Sequence, residues 1–134
     1  MAAPYILLIE DDEDDAAVVL SAHRRGARKE PLVLCGDTAA ARRCIDELGL
    51  PALTLLDIGL PGESELSYAR ILAADTRMVG RPIVVHSGLL DPATVRELYD
   101  VGVNAVTMKS ADFGEATEAM TAILAFWLGV NLVA

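Results

Sequence analysis

The sequence is poor in basic residues, with 11 Lys and Arg against 20 Asp and Glu and a formal charge of −9 over 134 residues. A surface of that sign repels phosphate backbones, which bind through Lys and Arg that displace counterions, so nucleic acid is not expected as a partner. Cysteine is scarce as well. Cys35 and Cys44 are too few for a disulfide framework and lack the clustered spacing of a zinc site. They read as reduced, small apolar residues of a cytoplasmic protein. No apolar run approaches the roughly 20 residues of a spanning helix, and the start, Met1 to Pro4, carries no basic leader. Neither membrane insertion nor secretion is expected. Repeats, linkers and low-complexity tracts are missing too, apart from the acidic hexad that runs from Glu10 to Asp15. At about 150 residues per domain the length corresponds to one domain, residues 1–134, without room for a separate sensor or effector. An apolar content of 53% supplies a full core.

What is present is an alternation of two patterns. Short apolar runs at 6–9, 31–35, 52–56, 83–86 and 105–108 have the continuous hydrophobicity of strands covered on both faces. Between and after them, residues 14–25, 38–48, 64–75, 92–101 and 113–130 carry apolar residues at helical spacing. Asp37 stands where an N-cap belongs, and Gly49 with Pro51 stops the same helix. Asp91 precedes Pro92 at a first helical position, and Gly102 ends that helix. Five such units predict a doubly wound α/β fold, with a five-stranded parallel sheet, five helices and right-handed crossovers.

In such a sheet ligands bind beyond the carboxyl ends of the strands, where strand order reverses. Glu10, Asp11 and Asp12 follow the first run, Asp57 the third, Ser87 the fourth and Lys109 the fifth. Carboxylates gathered there repel one another, and a hard divalent cation such as Mg²⁺ relieves the repulsion with oxygen ligands. Beside the metal, an Asp carboxylate can attack a phosphoryl group while an ammonium and a hydroxyl neutralise the transferred charge. Asp57, Lys109 and Ser87 are of those chemical types.

The strings Ile6-Leu7-Leu8-Ile9-Glu10-Asp11-Asp12, Leu55-Leu56-Asp57-Ile58-Gly59-Leu60-Pro61, Val84-Val85-His86-Ser87-Gly88 and Gly102 through Lys109 together resemble the receiver domain of two-component response regulators. The resemblance implies a flavodoxin-like fold and a phosphoryl group accepted on Asp57 from a sensor histidine kinase. It makes Glu10 and Asp11 the acidic pair that holds Mg²⁺, with Asp57 and the Gly59 carbonyl as further ligands. Ser87 and Lys109 would contact the phosphoryl oxygens. The end of the chain, Ala125 to Asn131, is similar to the apolar terminus of small regulators that accompany phytochrome-type kinases, which makes such a kinase the expected partner.

Three positions depart from the family pattern. Ser110 replaces the proline that follows the lysine, and a cis bond to a non-proline residue costs about 3 to 4 kcal/mol, so this bond is expected to be trans. Val106 has no ring where the family turns an aromatic side chain inward. Glu65 replaces a glycine beyond the acceptor. These departures support an alternative, a pseudo-receiver that serves as an interaction or dimerisation module with impaired phospho-switching. An aspartate-dependent phosphohydrolase would carry a second acid two residues after its nucleophile, where this chain has Gly59. No activity on a separate metabolite is expected.

Other residues have plainer readings. Asp14 and Asp15 are expected to be solvated acids at the positive end of the first helix, and Asp12 fits either role. His86 is expected to be structural, and His23 to lie at the surface. Ile123, Phe126, Trp127, Leu128 and Val130 exceed what one core-facing stripe uses. They are expected to form a homodimer interface on the last helix and its tail, about residues 122–134.

Overall fold

The computed structural model describes residues 4–57, 63–88 and 91–130, excluding the side chains of 63–65. The expectations for Gly59, the Glu65 side chain and residues 131–134 lie outside what is described.

The elements follow the expected alternation: β1 (Ile6–Ile9), α1 (Glu13–Arg25), β2 (Leu32–Cys35), α2 (Thr38–Leu48), β3 (Leu53–Leu56), α3 (Glu63–Ala74), β4 (Ile83–Ser87), α4 (Pro92–Val101), β5 (Ala105–Met108) and α5 (Phe113–Ala125). A 3-10 turn, Thr76–Met78, leads into β4, and α5 widens into a π-helical turn at Phe126–Val130. The helices start where side chains catch free amides. Asp12, Asp37, Asp91 and Asp112 each accept from backbone N–H groups of the first turn of α1, α2, α4 and α5, an interaction worth about 1 kcal/mol per cap. α4 ends on Gly102 at φ 112°, a left-handed conformation that costs a glycine little.

The strands pair in parallel in the order β2-β1-β3-β4-β5, so the direction of winding reverses between β1 and β3. Side-chain alternation divides the core in two. Leu7, Ile9, Leu56 and Val85 pack with Ala41, Ile45, Leu72 and Leu98 of α2, α3 and α4. On the other face Ile6, Leu8, Leu55 and Val84 pack with Ala16, Val19, Met120 and Leu124 of α1 and α5. β1 and β3 are buried throughout, as the apolar runs require. Among the described residues no helix is long and apolar enough to cross a membrane.

The end of the chain resolves part of the apolar surplus. Ile123, Trp127 and Leu128 lie half-buried against the α1/α5 core, and Arg28 donates to the Leu128 carbonyl at 3.2 Å. Phe126 and Val130 remain 47% and 69% exposed. His23 is not a surface residue as expected: it is half-buried, because its Nε2–H donates to the Glu30 carbonyl at 2.6 Å across the α1–β2 connection.

Thr54 in the centre of β3 is fully buried, and its Oγ1 has no hydrogen-bond partner. The isosteric change Thr54→Val removes that desolvated hydroxyl, and urea or thermal unfolding is expected to show a gain of about 1 kcal/mol.

Candidate functional site

The site stands on backbone ties between the strand ends. The Glu10 amide donates to the Cys35 carbonyl at 2.9 Å, the Asp57 amide to the Ile9 carbonyl at 2.9 Å, and the Lys109 amide to the Ser87 carbonyl at 2.8 Å. The sheet ladder thus continues one residue past the strands, and it carries Glu10, Asp57, Ser87 and Lys109 to one rim. Glu10 is 3% exposed, Asp57 1% and Ser87 2%.

Lys109 occupies the middle of this rim. Its ammonium pairs with Asp57 Oδ1, donates to Asp15 Oδ2 at 2.9 Å and lies 3.7 Å from Glu10 Oε2. Burial alone would lower its pKa, but the bonds to Asp57 and Asp15 prevail and hold it at about 12. One ammonium cannot neutralise three carboxylates. Burial first, then the charge of Asp57, lifts Glu10 from 4.5 to about 9. Burial also raises Asp57, against the pull of Lys109. Glu10 Oε1 accepts the Asp12 amide at 3.0 Å, whereas Glu10 Oε2 is buried without a hydrogen bond.

Oxygens of Glu10, Asp15 and Asp57 lie within 4.8 Å of one another, close enough to share one cation. The reading of Asp15 as a solvated acid is therefore corrected. Asp12 accepts the amides of Asp14 and Asp15, which turns the chain into α1 directly beside the rim, and side chains of a first helical turn lean back toward the N-terminus. An acid five residues beyond a strand-end acid was the available signal. Asp12 is accordingly a cap. Asp14 and Asp11 are exposed, so Asp11 stands on the same loop but outside the buried cluster.

His86 and Ser110 complete the surroundings. A small cavity beside Lys109 is lined by Asp15, Asp57, His86 and Ser110. Thr107 Oγ1 donates to the Val85 carbonyl at 3.0 Å and so accepts the Nδ1–H of His86 at 2.7 Å. Burial, then the nearby Lys109 charge, lowers His86 to about 4 and keeps it neutral. No cis peptide occurs among the described residues, so Lys109 joins Ser110 in trans, as expected. The Ser110 hydroxyl donates to Glu115 Oε2 at 3.0 Å and accepts the Asp112 amide at 3.2 Å. Val106 is half-buried, and its amide donates to the Tyr99 hydroxyl at 3.1 Å.

These shifts fix the pH dependence of the metal-free fold. Between pH 4.5 and about 9 folded Glu10 keeps a proton that the unfolded chain has lost, so stability falls as pH rises. Between about 4 and 6.5 folded His86 lacks a proton that the unfolded chain holds, so its contribution rises with pH. The two slopes oppose each other below pH 6.5; above it the Glu10 slope remains, and the raised Asp57 acts in the same direction. In chelator, the thermal midpoint is expected to drop from pH 6.5 to 9, and Glu10→Gln to flatten that drop, as read by scanning calorimetry.

No protein-family profile and no curated protein matches the chain. Solved structures do. The chain is 25% identical to the phosphorylated cyanobacterial phytochrome response regulator RcpA, covering 98% of this chain and 99% of that one with a TM-score of 0.85. It is 26% identical to the bacteriophytochrome response regulator RtBRR, over 100% of this chain and 82% of that one, with a TM-score of 0.72. The Mn²⁺-bound form of response regulator Rcp1 has the same fold at 23% identity and a TM-score of 0.85, over 98% of this chain and 99% of that one. Architecture, strand-end chemistry and these likenesses agree: the chain has the fold of a response-regulator receiver domain, and the solved structures like it include phytochrome-associated regulators.

Proposed function

We propose that this chain accepts a phosphoryl group from a sensor histidine kinase onto Asp57, with Mg²⁺ bound, and signals by contact with another protein. The observation that carries the reading is the buried Asp57 carboxylate, ion-paired to Lys109 at the point where the sheet reverses its winding. Glu10 beside it has a buried oxygen without a hydrogen bond, which a bound cation would satisfy. The donor set is all oxygen, which suits Mg²⁺ over softer metals. Glu10, Asp57 and Asp15 are the residues that would hold it, with Asp11 reaching in from the exposed loop and the Gly59 carbonyl as a further ligand. When bound, the ion supplies positive charge against the phosphoryl oxygens.

The chain's own residues do the rest. A carboxylate oxygen of Asp57 attacks the phosphorus of a phosphohistidine, the phosphorus–nitrogen bond breaks, and its electron pair returns to the imidazole. Lys109 passes from the Asp57 carboxylate to the new phosphoryl oxygens, and the Ser87 hydroxyl donates to another. The likeness to RcpA and RtBRR, both described as phytochrome response regulators, supports a phytochrome-type kinase as the donor. A cytoplasmic location goes with that partner.

Acetyl phosphate with Mg²⁺ is expected to add one phosphoryl group to the intact mass, on Asp57, and Asp57→Asn to abolish the addition. Lys109→Ala is expected to slow it by about 100-fold, the usual scale for loss of one preorganised charge donor. Phosphorylation elsewhere overturns the assignment. If beryllofluoride and acetyl phosphate both leave the chain unchanged, it is instead a pseudo-receiver, as the ringless Val106 would allow.

A second copy of this chain is the proposed partner for the last helix. Phe126 and Val130 are exposed next to half-buried Ile123, Trp127 and Leu128, so the surface continues directly from the core. Light scattering is expected to show a dimer that Phe126→Glu with Val130→Glu converts to monomer. An unchanged mass in that double variant removes this face from consideration.

A further inference from the structure

We propose that Cys35 and Cys44 form a modification site, a dithiol that a low-molecular-weight disulfide of the glutathione type converts to an intramolecular disulfide. Cys35 is the last residue of β2 and Cys44 lies in α2, nine positions on. Their sulfurs stand 3.2 Å apart, and both thiols are free. A disulfide bond of about 2.05 Å needs an approach of only about 1 Å more between two elements that already pack against each other. Read from the sequence, the two are reduced, small apolar residues; folding makes them neighbours.

Their surroundings assign the order of events. Cys44 is half-buried and open to a small reagent, whereas Cys35 is 5% exposed. The Cys44 thiolate attacks one sulfur of the reagent, whose disulfide bond breaks and releases one thiolate, leaving a mixed disulfide on Cys44. Cys35 then attacks the Cys44 sulfur and expels the second thiolate. Two electrons pass to the reagent, and the two protons lost from the cysteines end on the two released thiols. Burial first, then the hydrogen bond and charge of Cys44, hold the Cys35 thiol up at about 12. The contributions of Cys44 vanish once that sulfur is in a mixed disulfide, so the first step eases the second.

The bond would form at the root of the acidic rim. The carbonyl of Cys35 accepts the Glu10 amide at 2.9 Å, so oxidation fixes the backbone that positions Glu10. The inference is independent of phosphorylation and holds whatever the rim binds.

The test uses the full chain, equilibrated with oxidised and reduced glutathione and quenched with N-ethylmaleimide before intact-mass measurement. Wild type is expected to become two hydrogens lighter and to take no maleimide. It should melt about 5–10 °C higher than the reduced chain and revert with dithiothreitol. Cys35→Ser and Cys35→Ala are expected to accumulate glutathione on Cys44 and never yield the lighter species. The proposal is overturned if wild type keeps a stable mixed disulfide on Cys44 under conditions that fully modify the Cys35 variants. It is equally overturned if native wild type leaves both thiols unmodified while the unfolded chain reacts.

Discussion

One half-buried ammonium facing three carboxylates is the constraint around which this molecule is arranged. Lys109 joins Asp57, Glu10 and Asp15, the last of these 94 residues away in the chain, at one rim of the sheet. In water such a group would spread apart; here the strand-end amides hold its backbone in place. The surplus of negative charge follows from that rigidity. It lifts Glu10 far from its ordinary range and makes the rim a receptor for positive charge. A fold selected for stability alone would replace such a cluster with apolar side chains, since buried charge seldom repays its desolvation. Its presence at a sheet's switch point is therefore an argument for use.

The fold was largely legible because its punctuation is local. Asp37, Asp91, Pro92 and Gly102 act within a few residues of themselves, and the helices 38–48 and 92–101 begin and end where those residues dictate. Asp57 and Lys109 were legible for a related reason, since each is the first charged residue after a continuous apolar run. The misread residues are those whose roles exist only across the fold. Asp15 looked like one more acid in a solvated hexad until α1 swung it over β5's end. His23 looked like part of a basic surface run, yet its ring turns inward to the Glu30 carbonyl. Composition carries no information about such pairings.

The last helix shows the limit of periodicity in another way. Apolar residues continue through Val130, and the pattern was read as one helix with an interface stripe. The backbone instead widens by one residue per turn from Phe126. Within that turn Trp127 and Leu128 pack against the α1/α5 core, and the Leu128 carbonyl accepts from Arg28. Arg28 also pairs with the buried Glu30 at 3.3 Å, so a single guanidinium ties the end of the chain to the start of β2. Of Ile123, Phe126, Trp127, Leu128 and Val130, only Phe126 and Val130 are left exposed.

Communication from the rim to the outer surface must take account of Val106. Val106 has no ring, so no aromatic side chain at this position of β5 can exchange between buried and exposed places. Polar connections run along β4 and β5. The Ser87 carbonyl holds the Lys109 amide, Thr107 bridges the Val85 carbonyl and His86, and the Tyr99 hydroxyl of α4 holds the Val106 amide on the outer edge of β5. These bonds tie Lys109 to the end of β4, and β5 to α4 through Tyr99. Tyr99 is itself 47% exposed, so the end of this chain of contacts lies where another protein can touch it.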